Sequence, residues 1–369
     1  MTKTHETGSD TGYISIYLLL GFIPLAFILE RMEVDPLYVF LSSALSIIPL
    51  AKLMGESTEA LAHYLGPTAG GLLNASLGNA PEIIIGYFAL RQGLVDMVKA
   101  SITGSIIGNL LFGLGITFLS CITKGRYRLL TYDVDSFKVH SGLLTLATFG
   151  LIIPDVFDFS TQAENEISLE ISIILFLIYI LSVAATFLPD EPKKDSDDAL
   201  EIVRIGDPHE SETPQWSRNR AALILGLVTV VLAFMSETMT GSVQPSAEKL
   251  GLTPMFIGVF VLALLGNTAE LMNAVRFARG DQIELALGIS LGSSTQMALM
   301  VAPTLVFIGA FHGVPMNLLF SQYELIAVIL TVVSVSSFLS SGQVRPRVGV
   351  IFLALYIMLG IGFYNAPGS

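Results

Sequence analysis

Eleven apolar runs, most of them about twenty residues long, leave this chain few ways to fold. They lie near 13–30, 36–54, 69–90, 97–120, 137–153, 169–188, 219–240, 253–275, 282–309, 321–340 and 346–364, bounded by charges or by Pro and Gly clusters. A helix of about twenty apolar residues crosses the hydrocarbon core of a bilayer, and there a helix satisfies its own backbone groups. Composition agrees: of 369 residues, 52% are hydrophobic and only 14% charged, with a mean hydropathy of +0.69. Soluble domains carry about 25% charged residues. The expected fold class is an all-α polytopic membrane protein with 11 transmembrane helices. The fifth run is short and ends at Pro154. The first follows Lys3 but also Glu6 and Asp10, with no small-x-small cleavage pattern, so it reads as a retained helix and not a signal peptide. Basic residues are scarce and form no patch, which argues against nucleic acid as a partner. The single cysteine, Cys121, excludes an internal disulfide and a cysteine-based metal cluster.

Lys and Arg set an orientation. Lys124, Arg126 and Arg128 follow run four; Lys193, Lys194 and Arg204 follow run six; Arg276 and Arg279 follow run eight; Arg345 and Arg347 follow run ten. Alternating spans put all of these on one side, while the opposite stretch Asp155 to Glu170 is acidic without a basic residue. The N-terminus is therefore expected in the cytoplasm and the C-terminus outside, in the plasma (cell) membrane. One segment is not membrane. Asp190 to Glu212 carries nine acidic and three basic residues and reads as a solvated cytoplasmic linker. A second reading, a cation-attracting regulatory segment using Asp195, Asp197 and Asp198, lacks the spacing and Gly of an EF-hand loop.

The stretch "GNAPE", Gly78 to Glu82, recurs as "GNTAE", Gly266 to Glu270, 188 residues later. The same offset maps Gly104 and Ser105 onto Gly292 and Ser293. This reads as an internal duplication. The first copy falls in run three and the second in run eight, an odd separation, so the copies cross the membrane in opposite directions. Inverted-topology repeats of this kind place transport sites near the midplane. The architecture is expected to be 1 + 5 + 5: residues 1–35 an extension and extra helix, 36–189 the first five-helix repeat, 190–217 the acidic linker, and 218–369 the second repeat.

Glu82 lies about thirteen residues into its run, roughly 20 Å along a helix axis, and Glu270 is at similar depth. An ionisable group there costs about 2.5–3.5 kcal/mol or more, so it normally faces the protein interior and marks a pathway. Gly78 and Pro81 supply a helix break that frees carbonyls near Leu77 and Gly78, and Gly266 does so without a proline, since Ala269 stands at that position. Two carboxylates, the amide oxygens of Asn79 and Asn267, and the freed carbonyls make an all-oxygen site, which suits Ca²⁺. No thiolate or imidazole is near, which argues against Zn²⁺, Cu⁺ and Fe. When the cation leaves, two carboxylates face one another in a low-dielectric site and take up protons. Cation and protons then exclude one another, as exchange requires.

Runs four and nine add a polar layer. Ser105 and Asn109 share a helix face, as do Ser293 and Gln296. They either glue helices together or orient the glutamates and complete the coordination shell. Glu59 and Glu237 fall at the ends of runs two and seven, as interfacial caps or as vestibule carboxylates that pass ions toward the central pair.

With "GNAPE", "GNTAE", the extra first helix and the acidic segment between repeats, the whole chain resembles the calcium/proton exchanger family of the calcium/cation antiporter superfamily. Sodium/calcium exchangers tend instead to carry Gly-Thr-Ser in place of Gly-Asn. The resemblance implies a secondary antiporter that exports Ca²⁺ from the cytoplasm in exchange for H⁺, with Glu82 and Glu270 as shared Ca²⁺ and proton ligands. By position it also implies cation-site roles for Asn79, Asn267, Ser105, Asn109, Ser293 and Gln296. Ca²⁺ is then transported substrate, no cofactor is implied, and the partners are Ca²⁺, H⁺ and the lipid bilayer. The competing readings are Na⁺ coupling, a divalent-cation channel and a membrane-embedded enzyme. The last needs a central His or nucleophile, yet His5, His63, His140, His209 and His312 all lie near span ends or in loops.

Overall fold

The computed structural model describes residues 16–123, 129–156, 161–185 and 216–366. The acidic segment Asp190 to Glu212 and the basic residues Lys124, Arg126 and Arg128 lie outside the described residues. Within them the chain is almost wholly helical. A 3-10 turn, Leu18–Gly21, leads into α1 (Phe22–Arg31), followed by α2 (Pro36–Leu77) and α3 (Ala80–Arg91). Next, α4 (Val95–Ile107) passes through a π-helical segment, Gly108–Gly113, into α5 (Leu114–Thr123). Then come β1 (Leu130–Thr131), α6 (Val134–Val156), α7 (Thr161–Ala185) and α8 (Arg218–Leu250). A short α9 (Pro254–Phe256) enters the π segment Ile257–Leu262, α10 (Ala263–Gly266) and α11 (Thr268–Arg279). The chain ends with α12 (Ile283–Gln296), the π segment Met297–Val301, α13 (Ala302–His312), α14 (Gln322–Leu339), β2 (Gln343–Val344) and α15 (Val348–Asn365).

Eight continuous or gently bent helices among the described residues are long and apolar enough to cross a bilayer, and a ninth crossing counts the pair 254–266 and 268–279, bent by 58°. The sequence pattern and the structure differ in four places. In the described part of the first run, a 3-10 turn at Leu18–Gly21 precedes the ten-residue α1. The second continues past 54 to Gly66, where a positive φ of 78° turns the backbone directly into the third; Gly adopts that conformation without a Cβ penalty. The third run is split at Gly78 and Asn79 into the end of α2 and the separate α3. Pro154, expected as an end, sits inside α6, which runs on to Val156.

Caps follow the sequence. Asp35 accepts from Leu37 N (3.1 Å) with Pro36 in the first turn of α2. At α14, Ser321 and Glu324 form a reciprocal capping box. Buried Ser and Thr are satisfied within their own helices: Ser43 Oγ donates to Val39 O (2.7 Å) and Thr148 Oγ1 to Leu144 O (2.8 Å), which makes polar side chains tolerable in apolar surroundings.

Two hydrophobic clusters build the interior. In one, α2 packs extensively on α8, with Ile47, Met54, Leu232 and Met239 buried between them and α1 laid alongside. The other gathers α4 to α7 and α12 to α15 around Ile106, Phe118, Leu144, Val301 and Phe352. Leu181, Leu227, Phe234 and Ile357 point outward, as lipid-facing side chains do. Both described basic loops share one end of the bundle. Cys121 touches Ala278 O beside Arg279, Gly349 packs on Leu119 beside Arg347, and Leu130 pairs with Val344 beside Arg345. That two-residue pairing, Leu130↔Val344 and Thr131↔Gln343, is the departure from an all-α chain among the described residues.

Candidate ion-binding site

Both copies of the repeated motif break a helix in the same way. In the first, Gly78 N still bonds Asn74 O (2.8 Å), then Asn79 leaves helical geometry (φ −101°, ψ 20°) and α3 starts at Ala80. In the second, Asn267 departs (φ −83°, ψ 12°) and α11 starts at Thr268. Each Asn is the N-cap residue, and its carbonyl accepts the first bond of the new helix, from Ile83 N (3.2 Å) and from Leu271 N (3.0 Å). Glu82 and Glu270 then stand third in their helices, in the first turn. The positive end of a helix dipole favours an anion at that place. Here it offsets part of the cost of burying a carboxylate.

Asn is a preferred capping residue, yet neither Asn caps with its side chain. The amides bridge the two halves of the chain instead. Asn79 Nδ2 donates to Gln296 Oε1 (2.5 Å). Asn109 Nδ2 donates to Asn267 Oδ1 (3.0 Å) and to Ser293 Oγ (2.9 Å), while Asn267 Nδ2 donates to Ala263 O (2.7 Å). Asn79, Asn109, Asn267 and Ser293 are buried, and Gln296 partly so. The structure thus places both motif asparagines and three of the four members of the polar layer in two hydrogen-bonded groups across the halves, Asn79 with Gln296 and Asn109 with Asn267 and Ser293.

The carboxylates are different. Glu82 is buried, and neither of its oxygens has a hydrogen-bond partner among the described residues; the same holds for Oε2 of the partly exposed Glu270. Gly266 closes over Glu82 so tightly that a Cβ would stand 3.1 Å from its Cγ. A cavity beside Glu82 is lined by Ser101, Ser105, Ile102, Leu262, Gly266 and Met297, and it lies where the two hydrophobic clusters meet. Unpaired buried carboxylate oxygens are costly unless a cation or a proton satisfies them. Carboxylates, amides and hydroxyls are oxygen donors of the kind a hard cation takes, and no group of three or more His, Cys, Asp or Glu is available for a metal among the described residues. Three π-helical segments flank the site. Two of them, Gly108–Gly113 and Met297–Val301, begin one residue apart under the 188-residue offset.

Glu59 is exposed on α2. Glu237 is also exposed and lies 4.0 Å from Arg91 Nη1, nine residues along α3 from Glu82. The structure therefore joins these two to neither hydrogen-bonded group. Sequence reasoning passed over three buried charges inside the runs: Lys52, which lies 3.4 Å from Glu56 just past the end of its run, and Lys99 and Glu324. The signal was the same one that singled out Glu82, a charge within an apolar window.

A family model described as "Sodium/calcium exchanger protein" matches residues 36–188 and 220–364. The chain belongs to the sodium/calcium exchanger family. This exchanger is 36% identical over 362 residues to a Ca²⁺/H⁺ antiporter of Aphanothece halophytica, covering 95% of this chain and 96% of the relative. It is 33% identical over 354 residues to the Ca²⁺/H⁺ antiporter ChaA of Bacillus subtilis, covering 95% and 99%. The solved structure of native YfkE superposes with a TM-score of 0.81 at 31% identity, over 95% of this exchanger and 100% of that chain. An H⁺/Ca²⁺ exchanger CAX shares the fold at a TM-score of 0.72 and 17% identity, over 97% and 89%.

Proposed function

We propose that this exchanger is a Ca²⁺/H⁺ antiporter that carries both ions through one shared site, with Glu82 and Glu270 binding either one Ca²⁺ or protons. The observation that carries the reading is the pair of matching helix breaks. Each delivers a carboxylate with buried, unpaired oxygen to the seam between the two halves of the chain. Asn79 and Asn267, the backbone at Gly78 and Gly266, and Ser105, Asn109, Ser293 and Gln296 supply neutral oxygens around them. Glu59 and Glu237 act as outlying carboxylates on the approach. The relatives named for Ca²⁺ and H⁺ favour protons over Na⁺ as the coupling ion.

The same reading takes the chain as eleven crossings arranged 1 + 5 + 5. The repeats are 36–189 and 218–369, the N-terminus is cytoplasmic, and Ca²⁺ leaves across the cell membrane. Support comes from the equivalent helix breaks, the equivalent π segments and the gathering of Arg279, Arg345 and Arg347 at one end. The test is Ca²⁺ uptake into vesicles under a pH gradient, against the same vesicles under a Na⁺ gradient. Glu82→Gln and Glu270→Gln should each abolish uptake, since each removes a proton carrier and one charge of the site. Full transport by either variant, or flux that follows Na⁺ and ignores the pH gradient, would overturn the reading.

A further inference from the structure

A second buried charged cluster lies outside the central site. Lys99, on α4, is 8% exposed. Its ammonium donates to Asn317 Oδ1 and to Leu319 O (2.8 Å). One turn further on, Thr103 Oγ1 donates to Glu324 Oε1 (3.1 Å). Glu324, 3% exposed, also accepts from Ser321 N (2.9 Å) and Ser321 Oγ (2.7 Å). Each buried charge is thus solvated by its own set of neutral groups, across the joint between α4 and the segment before α14.

That segment, 314–321, is irregular backbone sunk into the bundle. Met316, Leu318 and Phe320 are buried while the residues between them are less so, the period-two alternation of extended chain. Irregular backbone at such a place must have its polar groups satisfied by protein. Lys99 takes the Leu319 carbonyl and the Asn317 amide, and Ser168 Oγ accepts from Leu318 N (3.0 Å). Lys99 and Thr103 are four residues apart, so they share one face of α4. Ser101 and Ser105 lie on the far side of the same helix and line the cavity beside Glu82. Six residues separate Lys99 from Ser105, about 9 Å along the axis.

We propose that Lys99 is a positioning residue for ion exchange: by clamping α4 to the 314–321 segment it holds the Ser101 and Ser105 face at the ion site. A buried ionisable residue in a membrane helix costs enough that its retention calls for a role, and the geometry gives Lys99 no access to the cation itself. Its partners hold one helix of the first half against the second half, and that helix continues into Asn109 and its bonds to Asn267 and Ser293. The inference rests on the shared-site reading only in taking Ca²⁺ as the ion bound beside Glu82.

The experiment uses the full chain with Lys99→Met and Asn317→Leu, singly and together. Two quantities are read: the Ca²⁺ concentration giving half-maximal thermal stabilisation in detergent, and KM and Vmax for Ca²⁺ uptake by vesicles. Loss of a supporting contact around a metal site commonly weakens affinity by tenfold or more. Each single variant should therefore raise the half-saturating Ca²⁺ about tenfold, with Vmax per folded protein unchanged, and the double variant should add nothing to the larger single effect. Unchanged half-saturation overturns the proposal, and so do additive effects. A shifted pH profile of Vmax at constant half-saturation also overturns it, because Lys99 would then be handling protons. If Lys99→Met does not fold, Asn317→Leu decides alone, since it leaves the lysine and the Leu319 carbonyl in place. The thermal readout needs only Ca²⁺ binding, so failure of proton coupling in the wild type leaves this test standing.

Discussion

Replacing Gly266 by Ala probes the shared site without removing any ligand. A Cβ at this position would stand 3.1 Å from Glu82 Cγ, 3.2 Å from its Oε1 and 3.4 Å from its Cδ. Glu82 must then yield by a few tenths of an ångström. The range of Ca²⁺–oxygen distances, about 2.3–2.6 Å, is no wider than that shift. Crowding of this kind costs about 1–3 kcal/mol, which at about 1.4 kcal/mol per decade is a roughly 5- to 150-fold loss of affinity. Fold stability should fall by less, because Ala in a helix is worth about 0.5–1 kcal/mol over Gly and offsets part of the crowding. Gly292→Ala is the matched control: it is also helical, and nothing lies within 4 Å of its added Cβ. The assay is KM for Ca²⁺ in vesicle uptake beside a thermal melt. Gly266→Ala should raise KM well beyond what any small fall in melting temperature accounts for, and Gly292→Ala should leave KM alone. Equal KM in wild type and Gly266→Ala would refute the placement of Glu82 in the coordination shell.

Gly104→Ala should instead damage the fold. Its Cβ would meet the backbone of Val259 at 2.3 Å from O and 2.4 Å from Cα, so two rigid segments must part by about 1 Å to regain ordinary separation. A drop in melting temperature matching at least about 1–3 kcal/mol is expected, with no such drop for Gly292→Ala, its repeat partner. Tyr132 lies between β1 and α6, and its hydroxyl donates to Leu339 O (2.5 Å). Burial pushes that hydroxyl up to about 12, above the ordinary value of about 10. The fold therefore favours the neutral form: this stabilisation is complete below pH about 10 and is lost as pH rises through about 12. Tyr132→Phe should cost about 1 kcal/mol near neutrality and flatten the alkaline fall in melting temperature; an identical alkaline profile would refute the assignment.

The candidate site stands out in the sequence because its chemistry violates the rule of its surroundings twice. An Asn and a Glu within twenty apolar residues are costly, and the same pair at Gly78 and Gly266 cannot be an accident of one helix. Asn109 and Gln296 were legible as polar residues, but their partners were not. Spacing along one helix says nothing about which amide on another helix faces it, and the bonds from Asn79 to Gln296 and from Asn109 to Asn267 join residues 217 and 158 positions apart. The clamp at Lys99 escaped for a related reason. Its acceptors are a loop amide and a backbone carbonyl, and a carbonyl carries no sequence signature. Span ends were soft where backbone geometry overrode composition. Gly66 bends a chain that stays hydrogen-bonded, and Pro154 falls in a helix that continues past it.

Pro81 tests what makes the break. Read from the sequence, Gly78 and Pro81 open the first motif, and Gly266 must manage alone in the second. The two breaks nevertheless have the same form: an Asn with ψ near 12–20° caps a new helix and its carbonyl accepts from the residue four positions on. Pro81 is the second residue of α3, where a backbone N–H has no partner within the helix in any case. Ala269 occupies the matching place in α11, N–H included. The break is therefore set by the Gly-Asn pair and by the amide bonds that hold each Asn across the interface, with proline an added constraint on the unfolded chain. Pro81→Ala should keep Ca²⁺ uptake with KM close to wild type and lower stability by about 0.4–1 kcal/mol at most. Asn79→Leu, which removes the donor to Gln296, should raise KM sharply. If Pro81→Ala abolishes uptake while Asn79→Leu retains it, the proline and not the asparagine holds Glu82 in place, and the equivalence of the two half-sites fails with it.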